Sequence, residues 1–102
     1  MSDFVRICAQ SELPRVGEVG EVVAAGRAFC VANVDGTICV LNGECPHEGG
    51  PLGEGTLEGG RVVCPWHNYA FDARTGENDQ EADLVAQVFE ARVEEGELRA
   101  KI

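Results

Sequence analysis

The chain has 102 residues, of which 44% are hydrophobic and 25% are charged, so its size and composition predict one globular domain spanning residues 1–102. Eighteen acidic against eight basic side chains give a net charge of −10, which argues against nucleic acid and anionic membranes as partners. No apolar run approaches the ~20 residues of a membrane-spanning helix, and the N-terminus lacks the apolar segment of a signal peptide. We therefore expect a cytoplasmic protein.

The first half of the chain predicts four short strands separated by turns that contain glycine or proline. These strands span residues 3–8, 21–23, 27–32 and 37–41. Asp35 and Gly36 suit the two positive-φ positions of a type I′ turn between the third and fourth strands. With that two-residue turn, Cys39 lies opposite Ala32 rather than Cys30, so a disulfide between Cys30 and Cys39 is not favoured.

The second half begins with a long loop and ends with a hairpin. Residues 43–60 contain seven glycines and two prolines, a composition typical of a loop. Short extended segments follow at residues 61–63 and 69–72, and the acidic residues 77–83 are expected to form a solvated loop. Between residues 85 and 102, apolar and polar side chains alternate on both sides of Gly96, which predicts a hairpin with one buried face.

These elements predict an all-β fold. No window has the 3.6-residue period of an amphipathic helix, and short antiparallel strands of this kind form a sandwich or a partly open barrel. A loop-built lobe, about residues 43–76, is expected to be inserted into a β base domain formed by residues 1–42 and 77–102.

Five cysteines are an odd number, which excludes a closed framework of disulfide bonds. Cys8, Cys30 and Cys39 lie in apolar stretches and are interpreted as small buried hydrophobic residues. Free thiols of this kind indicate a reducing compartment.

Two short segments carry the residues of a metal site. Cys45-Pro46-His47 is followed, after sixteen residues, by Cys64-Pro65-Trp66-His67. Each segment offers one thiolate and one imidazole, so together they provide four ligands for a metal centre. A zinc finger instead places its two cysteines on one element and its two histidines on another, usually a helix. Structural zinc nevertheless remains the alternative at this point.

The motif and its flanks resemble the Rieske [2Fe–2S] family. The likeness covers residues 43–76 and includes Gly49-Gly50-Pro51-Leu52, Phe71-Asp72 and Thr75-Gly76. In Rieske centres two histidines replace two cysteines on one of the two irons. The resemblance implies one [2Fe–2S] cluster, with Cys45 and Cys64 on one iron and His47 and His67 on the other.

Four positions depart from the motif of high-potential Rieske proteins. Gly50 and Trp66 stand where two further cysteines would form a disulfide between the ligand loops. Tyr69 replaces a serine, and Phe71 a tyrosine, whose hydroxyls would donate to cluster sulfurs. Since such bonds stabilise the reduced cluster, their loss implies a potential at the low end of roughly −150 to +300 mV. The sequence leaves open whether the Tyr69 hydroxyl reaches the cluster by another route. It also leaves open two roles of Trp66, which could pack over the cluster or provide a stacking surface for electron exit.

The resemblance implies a one-electron carrier rather than an enzyme, because the sequence nominates no nucleophile or base beside the cluster. As a Rieske ferredoxin, the chain would take electrons from an NAD(P)H-dependent flavin reductase and pass them to a terminal oxygenase. One alternative is a Rieske small subunit bound to the large subunit of an NAD(P)H-dependent nitrite reductase. The other is a structural zinc module for protein interaction, without redox function.

Overall fold

The computed structural model describes residues 4–46, 49–66, 68–78, 80–81 and 83–102. Within these ranges the nine strands are β1 (Phe4–Ala9), β2 (Val19–Ala24), β3 (Arg27–Val34), β4 (Thr37–Asn42), β5 (Thr56–Glu58), β6 (Arg61–Val63), β7 (Ala70–Asp72), β8 (Val88–Glu94) and β9 (Glu97–Lys101). Two 3-10 helices of one turn span Gln10–Glu12 and Leu52–Glu54. The expected all-β class is confirmed, and none of the helices in the described ranges has the length or apolarity to cross a bilayer.

The strands form two antiparallel sheets. Six strands are hydrogen-bonded in the order β1-β9-β8-β4-β3-β2, and three in the order β5-β6-β7. The edge strands of the larger sheet, β1 and β2, also contact each other, so this sheet curls into a partly open barrel. The smaller sheet falls within residues 43–76, while the boundaries of the single domain and its lobe remain a prediction.

Four two-residue turns set the register of the hairpins. They are Ala25–Gly26, Asp35–Gly36, Gly59–Gly60 and Glu95–Gly96, and both residues of each have positive φ. Positive φ at both positions is the type I′ conformation, whose twist matches that of the flanking strands. The second of these turns places Cys39 opposite Ala32, as predicted.

Strands β3 and β4 are buried on both faces and separate two hydrophobic cores. Side chains alternate between the faces of a strand, so Phe29, Val31 and Val40 pack inside the curled sheet while Cys30 and Leu41 pack on its other side. We call the second cluster the lobe core. Its buried members are Cys30, Ala32, Val34, Cys39, Leu41, Cys45, Leu52, Val62, Cys64, Phe71, Ala73 and Ala86.

Two glycines let the lobe sit directly on the larger sheet. A Cβ atom on Gly43 would lie 2.7 Å from the carbonyl carbon of Ala28, and one on Gly53 would lie 2.6 Å from Cα of Glu21. Such separations are too short for any real Cβ atom, so the backbones approach here only because glycine occupies both positions. The Gly43 N–H also donates to the Ala28 carbonyl at 3.0 Å, which fixes the point where the lobe leaves the base.

Three expectations from the sequence were wrong in detail. Residues 56–58, expected within a loop, form β5 because each pairs with a residue of β6. The strand expected from Val85 begins only at Val88, and the Val85 side chain is half exposed. The acidic segment 77–83 is not wholly solvated, because Asn78 within it is only 8% exposed.

Candidate metal centre

Two loops of six residues carry the predicted ligands. Loop 1 comprises residues 45–50, and loop 2 comprises residues 64–69. The residues that flank loop 1 form an isolated β-bridge, and those that flank loop 2 are opposite each other in the pairing of β6 with β7. Each loop therefore closes an antiparallel strand pair, and each begins with a predicted ligand, Cys45 or Cys64.

The same hydrogen bond closes both loops. The Cys45 N–H donates to the Gly50 carbonyl and the Cys64 N–H donates to the Tyr69 carbonyl, each at 2.7 Å. The residue before each acceptor has positive φ, 74° in loop 1 and 55° in loop 2. In loop 2 that residue is Asn68, and Asn tolerates the left-handed region better than most non-glycine residues. The two loops therefore share their closing hydrogen bond and the positive φ of the residue before its acceptor.

Loop 1 lies against the sulfur of loop 2. A Cβ atom on Gly50 would lie 2.9 Å from Sγ of Cys64 and 3.0 Å from Cγ of Trp66. Cys45 and Cys64 are 3% and 0% exposed, and both belong to the lobe core. The structure thus brings the two predicted thiol ligands into one buried region between facing loops. Thiolates are soft donors of the kind that iron–sulfur clusters take.

The two predicted histidine ligands, His47 and His67, lie outside the described residues. In the sequence His47 is the third residue of loop 1 and His67 is the fourth residue of loop 2. Elsewhere in the part of the chain that the structure describes, no group of three or more His, Cys, Asp and Glu side chains is placed to hold a metal ion. The assignment of the histidines as ligands stays a prediction.

The three remaining cysteines, Cys8, Cys30 and Cys39, are buried, and none of them forms a disulfide bond in the described part of the chain. Burial raises the pKa of Cys30 to about 12, with smaller contributions from Glu21 and Cys39. Burial also raises the pKa of both Cys8 and Cys39. Since the thiolate is the form that binds metals and attacks electrophiles, these protonated thiols are inert at neutral pH. Their interpretation as small buried hydrophobic residues is confirmed.

Trp66 is packed on one side and exposed on the other. Its indole lies over Gly50, while half of its side chain is accessible to solvent. The two positions where a loop-bridging disulfide would stand are therefore adjacent in space, and here they hold a glycine and an indole. Trp66 both covers the thiol-bearing loops and presents a surface to the outside.

Tyr69 and Phe71, the two departures next to loop 2, have different environments. Phe71 is fully buried in the lobe core and has no hydroxyl to donate. The Tyr69 hydroxyl donates to Oε1 of Glu81 at 3.1 Å. Sequence reasoning missed this contact, because one acidic residue within an acidic segment carries no distinguishing signal.

Comparisons with known proteins agree with the site. A family model described as the Rieske [2Fe-2S] domain matches residues 3–98. Ferredoxin CarAc of Metapseudomonas resinovorans is 32% identical over 97 residues, a match that covers 93% of this chain and 90% of that protein. Apoptosis-inducing factor 3 of Homo sapiens is 35% identical over 71 residues, but these cover 70% of this chain and only 12% of that longer protein. A chain in a solved complex of reduced oxygenase and oxidized ferredoxin in carbazole 1,9a-dioxygenase superposes with a TM-score of 0.83 at 30% identity, covering 96% of this chain and 92% of that one.

Proposed function

The chain belongs to the Rieske [2Fe–2S] domain family, whose members hold a [2Fe–2S] cluster, and from this premise we propose that it is a one-electron carrier with Cys45, His47, Cys64 and His67 as the cluster ligands. The cluster, when bound, takes up and releases single electrons. The protein receives an electron from an NAD(P)H-dependent flavin reductase and delivers it to a terminal oxygenase. It carries out no bond chemistry of its own.

The buried thiols of the two facing loops carry the proposal. Cys45 and Cys64 are buried in the same core, and the missing side chain of Gly50 lets loop 1 lie directly against the Cys64 sulfur. The three other thiols lie on strands β1, β3 and β4, outside both loops, and burial raises the pKa of each, which disfavours the thiolate form that binds metals. Each loop also supplies one histidine in sequence, which gives the mixed donor set of a Rieske centre rather than the separated pairs of a zinc finger.

The position of the charge supports a partner with a basic docking surface. Residues 43–83 contain both loops, and they carry nine of the eighteen acidic side chains but only two of the eight basic ones. Seven of the ten net negative charges therefore lie in this part of the chain. Such a field speeds the encounter with a basic surface and weakens as salt screens it. The similar ferredoxin that was solved in complex with an oxygenase supports an oxygenase as the class of acceptor.

Spectroscopy of the purified protein tests the ligand set. We expect a reddish-brown protein with two irons per chain and a rhombic electron paramagnetic resonance signal after reduction with dithionite. His47→Ala and His67→Ala should each abolish that signal. Cys30→Ala is the matched control and should retain it, because Cys30 lies within β3 and outside both loops. A signal that survives either histidine substitution, or a colourless protein loaded with zinc, would refute the assignment.

Single-turnover mixing tests the electron-transfer role. The reduced protein is mixed with the oxygenase component of carbazole 1,9a-dioxygenase as the acceptor, and re-oxidation is followed by absorbance. We expect one electron to leave per chain. A protein that shows the signal and is not re-oxidised contradicts delivery to an oxygenase. Co-elution with a nitrite reductase large subunit on size exclusion would instead support the alternative role as its small subunit.

A further inference from the structure

A segment of eight residues, 77–84, lies beside loop 2, and we call it the strap. The structure describes all of it except residues 79 and 82. Two side chains of the strap reach loop 2: Nε2 of Gln80 donates to the Asn68 carbonyl at 3.5 Å, and Oε1 of Glu81 accepts from the Tyr69 hydroxyl at 3.1 Å. Both contacts fall on the last two residues of loop 2, directly after His67 in the sequence.

Asn78 holds the described residues Gln80, Glu81 and Leu84 of the strap in place. Its Oδ1 accepts from the backbone N–H groups of Gln80 and Glu81 at 2.8 and 2.7 Å. Its Nδ2 donates to the carbonyls of Glu81, at 2.9 Å, and of Leu84. Asn78 is 8% exposed, so these four bonds are largely shielded from water, and a satisfied polar network of this kind specifies one local arrangement. The hydrogen bonds of Asn78 thus hold Glu81 in position beside loop 2.

The contact with Glu81 also determines where the Tyr69 hydroxyl points. A phenol has a single O–H proton to donate. Because that proton is donated to the Glu81 carboxylate, it is not available to a sulfur of the cluster. Tyr69, which stands where high-potential relatives have a donor serine, is therefore turned toward the strap.

We propose that Glu81 is a positioning residue, which anchors loop 2 through the Tyr69 hydroxyl and keeps the reduction potential of the cluster low. The inference rests on the proposed cluster site. The anchored hydroxyl gives no hydrogen bond that would stabilise the reduced cluster. In addition, a carboxylate beside the loop disfavours an added electron through its negative charge.

Redox titration of two charge-matched variants tests the electrostatic part. Glu81→Gln removes the charge but retains an oxygen that can accept from Tyr69. Glu77→Gln removes the same charge from the same strap, and within the described residues the hydrogen bonds of Glu77, to Asp72 and Thr75, are made by its backbone. We expect a larger rise in potential for Glu81→Gln than for Glu77→Gln. Equal shifts would overturn the special position of Glu81 and reduce its role to bulk charge.

Hydrogen exchange tests the anchoring part. Tyr69→Phe and Glu81→Ala should each speed amide exchange in loop 2 by about three- to tenfold, the effect expected for the loss of one hydrogen bond of ordinary strength at an exposed site. The double variant should exchange no faster than either single variant, since all three lack the same contact. Additive effects would contradict the anchor.

Tyr69→Phe also distinguishes the two destinations of the hydroxyl. If the hydroxyl donates its hydrogen bond to Glu81, the reduction potential of Tyr69→Phe should be unchanged or slightly higher. If the hydroxyl instead donates to a cluster sulfur, the reduction potential of Tyr69→Phe should be lower, and the inference is refuted. Absence of the rhombic signal from the unaltered protein would count against the proposed function itself. A normal signal with equal potentials in the two charge variants would count against this inference alone.

Discussion

Gly50→Ala is the substitution that most directly tests how the two loops face each other. The added Cβ would lie 2.9 Å from Sγ of Cys64 and 3.0 Å from Cγ of Trp66, so the sulfur or the indole must shift. The sulfur is fully buried in the lobe core, where neighbouring side chains leave it little room to move. Overpacking of this kind costs about 1–3 kcal/mol of unfolding free energy. For a domain of this size, each kcal/mol corresponds to a decrease in Tm of about 4–8 °C.

Gly20→Ala is the matched control. A Cβ on Gly20 meets no atom within 4 Å, and the residue does not have positive φ. This variant should be neutral or more stable by about 0.4–1 kcal/mol, because alanine restricts the unfolded chain. Thermal unfolding of both variants, followed by circular dichroism, gives the comparison, and iron content reports whether the protein still binds the cluster. Equal Tm values and equal iron content in the two variants would refute the facing arrangement of the loops.

Three further predictions concern the lobe core and the charge. Folding raises the pKa of the Cys30 thiol to about 12 from 9.0 in the unfolded chain. Above pH 9 the unfolded chain therefore loses a proton that the folded chain keeps, so the unfolding free energy should fall as pH rises, by at most about 1.4 kcal/mol per pH unit. When the unfolding free energy is measured by urea unfolding at several pH values, it should fall less steeply with pH for Cys30→Ala than for the unaltered protein. Parallel curves for the two proteins would contradict a raised pKa of the Cys30 thiol. Phe71→Tyr should raise the reduction potential in a spectroelectrochemical titration, since it restores a hydroxyl beside the thiol-bearing loops; an unchanged or lower potential would show that the hydroxyl does not reach a sulfur. The rate of electron transfer to the oxygenase probe should decrease as ionic strength rises, and a salt-independent rate would exclude steering by the acidic residues 43–83.

Local signals in the sequence were sufficient for the turns, and they identified the two cysteines that the structure buries in one core, whose role as ligands stays a prediction. An Asp-Gly pair between two apolar runs has one favoured hairpin geometry, so Asp35 and Gly36 predicted both the turn and the pairing of Cys39 with Ala32. The cysteines were predicted from spacing alone, because few structures require a thiol and an imidazole in each of two separate loops. The matching hydrogen bonds that close the two loops have no such signal, since they are made by backbone groups.

Features that depend on distant partners were not predictable. Residues 56–58 have no strand-like alternation, and they extend only because β6 offers them a pairing edge. Val85 continues the alternation of the strand that follows, yet its neighbour Ala86 donates its N–H to the Gly76 carbonyl outside the sheet. Asn78 resembles any polar residue of an acidic loop, and only the folded chain shows that four bonds converge on its amide.

The lobe core makes the metal loops and the β base one cooperative unit. Cys30 and Leu41 belong to the larger sheet, while Leu52, Val62 and Phe71 belong to the lobe, and all of them pack in the same cluster as the two predicted thiol ligands. Loops 1 and 2 therefore cannot separate without exposing apolar surface from both sheets, which costs about 25 cal/mol for each Å². Conversely, a cluster that ties loop 1 to loop 2 stabilises the whole domain and not only the lobe, because metal binding to a site absent from the unfolded chain adds to the folding free energy. The burial of β3 and β4 on both faces is thus what links the ligand geometry to the stability of the fold.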